Sequence, residues 1–165
     1  MPVATDAIQR ELASRTKSVR AGLCVGFAGE PVAETFKGLF GGVWMSAADV
    51  CDIPFEDSQF DVVILNGDYM SHAAAREANR VLVPDGYLLF TVQERNGKQQ
   101  GFTPAEIYKM VREGFDILSL KLPKWWKFGI GGRTITACAR KKAWREHKGF
   151  IREGTLPFTP FRSRT

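Results

Sequence analysis

The chain has 165 residues, 44% hydrophobic and 25% charged, with a formal net charge of +5: the size and apolar content of one compact domain with a core of its own and no room for a second. Its longest apolar runs, such as Val62 to Leu65 and Gly86 to Val92, are strand-length and exclude a membrane-spanning helix, which needs about 20 apolar residues. Three cysteines (Cys24, Cys51, Cys138) without a CxxC pair, and only two histidines, His72 and His147, argue against a disulfide framework and against a metal site.

The first 20 residues mix Asp6 and Glu11 with basic residues and lack an apolar stretch leading to a small-residue cleavage site. No secretory signal is read there, and a cytoplasmic location is the expectation. The positive charge is concentrated at the far end, where eight Lys/Arg stand against two Glu from Arg140 onward. The division expected is a near-neutral domain over residues 1–142 followed by a basic tail, 143–165.

In chain order, Ile8, Leu12 and Val19 fall at roughly helical spacing, which predicts an opening helix over 7–20. The short apolar run Gly22 to Phe27 predicts a strand. It is followed by the glycine turn Ala28-Gly29-Glu30 and a helix to Phe40 with Pro31 in its first turn, where a missing N–H costs nothing. Gly41-Gly42 breaks that helix before a second strand over 43–47. After a loop, Phe60 to Leu65 is rich in β-branched residues and predicts a strand buried on both faces. Ser71 is placed to cap a helix reaching Val81 or Leu82, stopped by Pro84-Asp85-Gly86, and Tyr87 to Val92 predicts another buried strand. Thr103-Pro104-Ala105-Glu106 has the pattern of a capping box. Phe115 to Leu120 and Thr134 to Ala139 read as an antiparallel pair joined by the loop 123–133.

Repeated βα units imply an α/β fold: a doubly wound, mostly parallel sheet with an antiparallel edge. The expected strand order is (43–47), (22–27), (60–65), (86–92), (134–140), (115–121), with the penultimate strand antiparallel.

Two stretches carry a resemblance. Asp49 to Val63 resembles the D-x-x-x-L-P-F-x-[DN]-x-x-F-D-x-V segment of S-adenosylmethionine-dependent methyltransferases. Arg76 to Leu89 is similar to that family's R-E-x-x-R-V-L-x-P-G-G-x-L pattern, and the likeness extends over roughly Gly22 to Lys142. It implies a Rossmann-like sheet, S-adenosylmethionine as cofactor, and methyl transfer to an acceptor that the sequence does not name. The family's glycine motif, hydrophobic-D-hydrophobic-G-x-G-x-G, is altered here: Cys24 stands for the acid, Ala28 for the second glycine and Glu30 for the third. Only 20 positions lead from Gly29 to Asp49, space for one helix and one strand, so the sheet is expected to be short by one βα unit.

In open α/β sheets ligands bind past the carboxyl ends of the strands. The cofactor contacts expected on that ground are Gly26, Phe27, Gly29, Asp49, Val50, Asn66 and Tyr69, with Tyr69 and His72 lining the methyl-donor end. Asp49 is open to two roles, toward the ribose hydroxyls or toward the adenine. No catalytic side chain is assigned, because methyl transfer rests on positioning. The Lys124-Trp125-Trp126-Lys127 loop and the basic tail combine aromatic faces with positive charge, which suits RNA or another anionic partner. A second reading therefore stays beside the enzyme: a methyltransferase-like domain that has lost its cofactor and works as a protein- or RNA-binding module.

Overall fold

The computed structural model describes residues 2–27, 30–95, 101–121 and 134–142. Six strands, β1 (Ala21–Val25), β2 (Val43–Ala47), β3 (Phe60–Asn66), β4 (Leu82–Gln93), β5 (Phe115–Lys121) and β6 (Thr134–Lys141), form one sheet in the order β2-β1-β3-β4-β6-β5. The first four strands are parallel to one another, and β6 runs antiparallel between β4 and β5. This is the order and direction that the alternation of elements predicts. A single helix, α2 (Val32–Phe40), and a single strand, β2, separate β1 from the loop that begins at Asp49, as the short spacing requires.

The sheet is covered on both faces. Successive side chains of a strand point to opposite faces, so on β3 Val62 and Ile64 meet one helical layer while Val63 and Leu65 meet the other. The first layer is α1 (Pro2–Arg15) and α2, which bury Ile8, Leu12, Val32, Phe36 and Phe40 against Cys24, Ile64 and Leu89. The second is α3 (His72–Val81) and α4 (Pro104–Val111), whose Ala74, Ala78, Ile107 and Val111 pack on Leu23, Val63, Leu88 and Phe90. Among the described residues no helix is long and apolar enough to cross a membrane.

Several boundaries differ from expectation for local reasons. The opening helix ends at Arg15, because the Thr16 hydroxyl donates to the Ser18 carbonyl at 2.8 Å and such side-chain bonds compete with helical ones. Pro31 is the N-cap of α2 and lies just outside its first turn; its carbonyl accepts from Thr35 N at 3.2 Å. The Pro84-Asp85-Gly86 segment does not precede β4 but lies inside it, since β4 starts at Leu82 directly after α3. There the step from Phe60 to Val62 on β3 is matched by the step from Leu82 to Tyr87 on β4, and Asp85 takes up the irregularity at φ 69°. The capping box forms in full: Glu106 N donates to Thr103 Oγ1 at 3.2 Å and Thr103 N to Glu106 Oε1 at 3.0 Å.

One buried charge holds the two ends of the fold together. Glu11 on α1 is 2% exposed, and accepts from Arg15 Nε at 3.1 Å and from Ser119 Oγ at 2.9 Å while pairing with Lys121 Nζ at 2.6 Å. Burial pushes its pKa up, but the hydrogen bonds from Lys121, Ser119 and Arg15 outweigh that and leave the carboxyl below its ordinary value.

Candidate functional site

The strand order reverses between β1 and β3: the chain leaves β1 outward to β2, then returns across β1 to β3. Ligands in open α/β sheets gather at such a switch point, past the carboxyl ends. There β1 is followed by Gly26, whose φ of +87° lies where side-chain-bearing residues are strained. Its N–H donates to the Ala47 carbonyl at 2.9 Å, joining the ends of β1 and β2. Its carbonyl accepts from Asn66 Nδ2 at 2.9 Å, and Asn66 Oδ1 accepts in turn from Asp68 N at 3.1 Å. One amide side chain thus ties the turn after β1 to the 3-10 turn Gly67–Tyr69 after β3.

The structure brings Gly26, Val50, Asn66 and Tyr69 together. A Cβ on Gly26 would stand 3.1 Å from Val50 Cγ1, 3.1 Å from Asn66 Cβ and 3.3 Å from Tyr69 Cδ2, so the chain's own side chains occupy the notch on that side of the glycine. A Cβ on Gly67 would collide with the Thr91 carbonyl, which explains how the turn carrying Tyr69 sits so close to β4.

Open space lies between β1, β2 and the start of α2. A cleft of about 230 Å³ there is lined by Cys24, Phe27, Glu30, Val32 and Ser46 to Ala48. Asp49 follows Ala48, is exposed, and accepts from Cys51 N at 2.9 Å through Oδ1. No described residue engages its Oδ2. Burial pushes the Cys24 thiol up to about 12, so at neutral pH it is uncharged, and among the described residues Glu30 is the one charged side chain lining the cleft. At the N-terminus of α2, Glu30 N is already spent on the Phe27 carbonyl at 3.0 Å and Pro31 has no N–H to offer.

His72 does not join this group. It is exposed at the start of α3 and lines a larger cleft of about 300 Å³ with Arg76, Asn79, Glu113 and Gly114. That cleft is a groove between α3 and the turn after α4, and none of its lining residues comes from the ends of β1, β2 or β3. Volume therefore does not decide the site; position on the sheet does. Gly29, the Trp125-Trp126 loop and the tail 143–165 lie outside the described residues.

The two motif stretches meet in a clamp that sequence reading did not assign. Arg80 on α3 donates through Nη2 to the Ile53 carbonyl and through Nη1 to the Phe55 carbonyl, both at 2.8 Å. It also donates to Asp57 Oδ1 at 2.9 Å and to both oxygens of Glu77 at 3.0 Å. Glu77 Oε1 in turn accepts from Ile53 N at 2.9 Å. The loop from Asp49 to Gln59 is therefore fastened to α3 through its backbone. The hydrogen bond from Arg80 holds the Glu77 carboxyl below its ordinary pKa against the opposing effect of burial, and Glu77 followed by Asp57 raises that of Arg80. Spacing i, i+3 puts both side chains on one helix face, a signal present in the R-E-x-x-R pattern itself. Asp61, in the Asp49 to Val63 stretch, works at the opposite end of the sheet, where Oδ2 receives Arg20 N at 3.1 Å and Ala21 N at 3.3 Å and sets the start of β1.

Comparison with known proteins agrees with this architecture. Residues 23–90 match the family model described as a methyltransferase domain. None of the curated proteins matches the sequence. Among solved structures, the N-methyltransferase NodS from Bradyrhizobium japonicum, in complex with S-adenosyl-L-homocysteine, superposes with a TM-score of 0.63 at 16% identity, over 83% of this chain and 84% of that one. The 1,6-didemethyltoxoflavin-N1-methyltransferase of Burkholderia thailandensis, bound to S-adenosylhomocysteine, gives 0.61 at 16% identity over 82% and 76%. The [4+2]-cyclase SpnF gives 0.60 at 19% identity over 84% and 81%, so the shared fold hosts more than one reaction. Sequence match and fold coincide: residues 23–90 match the model of a methyltransferase domain, and they lie on a Rossmann-like sheet that superposes on those of the methyltransferases above.

Proposed function

We propose that the chain is an S-adenosylmethionine-dependent methyltransferase whose cofactor occupies the cleft at the carboxyl ends of β1 and β2. The observation that carries the reading is the position of that cleft past the carboxyl ends of β1 and β2, on the β2 side of the switch point, with the exposed Asp49 carboxylate just beyond it. Its lining fits the nucleoside part of such a ligand. Phe27, Val32, Ala47 and Ala48 give apolar walls for a base, and the unengaged oxygen of Asp49 suits vicinal ribose hydroxyls. At about 230 Å³ the cleft formed by the described residues is below the usual range for whole ligand sites, about 300–1,000 Å³, and is sized for part of the ligand.

When bound, S-adenosylmethionine supplies a methyl group already activated on a sulfonium. The chain's task is then to bind, orient and exclude water, which is why no nucleophilic side chain is needed. Phe27 and Glu30 bound the cleft on the side of α2. Asn66 fixes the relation between the turn after β1 and the turn carrying Tyr69, the segment that would face the acceptor. In this reading residues 1–142 form the transferase domain, and acceptor or partner contacts fall to the Trp125-Trp126 loop and the basic segment 143–165.

The test is calorimetric titration with S-adenosylmethionine and S-adenosylhomocysteine, in the wild type and in Asp49→Ala. Micromolar affinity, about −8 kcal/mol, reduced at least tenfold in the variant, is the expected outcome. No heat, and no thermal stabilisation at millimolar ligand, would sink the enzyme reading in favour of a binding module.

A further inference from the structure

The altered glycine turn changes the charge of the site, not only its shape. Two positions on opposite sides of the same cleft are involved. On the β1 side, the place where the resembling motif has an acid is Cys24, 2% exposed and an uncharged thiol. On the α2 side, where the motif has its third glycine, stands Glu30, exposed and lining the cleft. The cleft has thus lost one carboxylate and gained another across the gap.

The α2 N-terminus would ordinarily attract the anionic end of a ligand, through free N–H groups and the helix dipole. Here that attraction is opposed by charge. Glu30 N is spent on Phe27 O at 3.0 Å and Pro31 lacks an N–H, so the N–H groups left for an anion are those of the first turn of α2, which has no side-chain cap, and the Glu30 carboxylate stands just before that turn. Glu34 adds an acid in the first turn of α2, and among the described residues no Lys, Arg or His lines the cleft.

We propose that Glu30 is the specificity-determining residue of the cleft: it binds the cationic end of a nucleoside ligand, the ammonium and sulfonium of S-adenosylmethionine, and turns the cofactor's carboxylate away from α2. The inference rests on the methyltransferase reading above and deepens it. It predicts that the ligand's carboxylate is dispensable and its positive charge is not.

Binding affinities of three probes separate the two readings: S-adenosylmethionine, its decarboxylated form, which keeps both cations, and 5′-methylthioadenosine, which has neither cation nor carboxylate. In the wild type the decarboxylated form binds at least as tightly as the full cofactor. Glu30→Gln, nearly isosteric and at an exposed position, weakens both cationic probes about tenfold and leaves 5′-methylthioadenosine unchanged, with a thermal midpoint like that of the wild type. Three results overturn the assignment of Glu30 while leaving cofactor binding intact: a decarboxylated form that binds tenfold more weakly than the cofactor, a variant that weakens all three probes alike, or one that weakens none. A wild type that binds none of the probes overturns the methyltransferase reading and this one with it.

Discussion

Asn66 shows how much can depend on one side chain at the end of a strand. Its amide donates to Gly26 and accepts from Asp68, so it needs both a donor and an acceptor, which only an amide of that length supplies. Replacing it with Asp would turn the donor facing the Gly26 carbonyl into a second acceptor and part the two turns. Glu11 is the other residue whose surroundings decide its effect. Its carboxyl titrates below the ordinary value, so its contribution to stability is complete above the unfolded-state pKa and is lost as pH falls through the lower folded one. Glu11→Gln is therefore expected to cost roughly 2 kcal/mol at pH 7, the size of a charge-assisted hydrogen-bond set whose partners reach solvent. The cost should shrink toward zero below about pH 4, as urea unfolding of both proteins across that range would reveal. An equal penalty at pH 3 and pH 7 would mean that packing, not charge, ties α1 down.

At the scale of elements, the segment that matters most is one without regular structure. The loop Asp49–Gln59 is held by α3 through Arg80 and Glu77, whose bonds go mainly to backbone groups, so the loop's own side chains are left available. Arg80→Met keeps the apolar stem and removes the clamp. It is expected to cost roughly 1–3 kcal/mol, to open the loop to limited proteolysis near Phe55, and to lower cofactor affinity although Arg80 lines no part of the cleft. Unchanged proteolysis would show that the Phe55–Phe60 edge-to-face contact, with ring centroids 5.2 Å apart, is enough to hold it. This loop also marks where sequence reading stops. The motif residues were legible as a pattern, and the i, i+3 spacing of Glu77 and Arg80 could have been read as one helix face. That their partners are the carbonyls of Ile53 and Phe55, more than 20 residues back, depends on how α3 lies against the loop, which no local pattern encodes. Likewise Val50, Asn66 and Tyr69 were legible as strand-end residues, but not the fact that they fill the notch at Gly26 and leave the open cleft on the β2 side.

For the molecule as a whole, strand order and direction were legible because each strand carries its own period and each crossover has a preferred hand. The missing βα unit was legible from spacing alone, and it leaves β2 at the edge of the sheet. Among the described residues β2 pairs only with β1, and Val43 and Met45 are 61% and 41% exposed. Val43 N donates to the Arg20 carbonyl and the Ala47 carbonyl accepts from Gly26, so the amides of Val43, Met45 and Ala47 face β1 while those of Trp44 and Ser46 face outward. Hydrogen exchange is expected to alternate along β2, at least tenfold faster at Trp44 and Ser46. Uniform protection would reveal that another strand covers the edge. The Glu11 clamp has a consequence for synthesis. Its two halves, on α1 and β5, are 108 residues apart in the chain, and at about 5–20 residues per second roughly 5–20 seconds pass between the making of Glu11 and the making of Ser119. Through that interval the first helix has its carboxylate and Arg15 but not the Lys121 cation and Ser119 hydroxyl that complete the set, so α1 becomes the last part of the sheet's cover to be secured although it is the first part made.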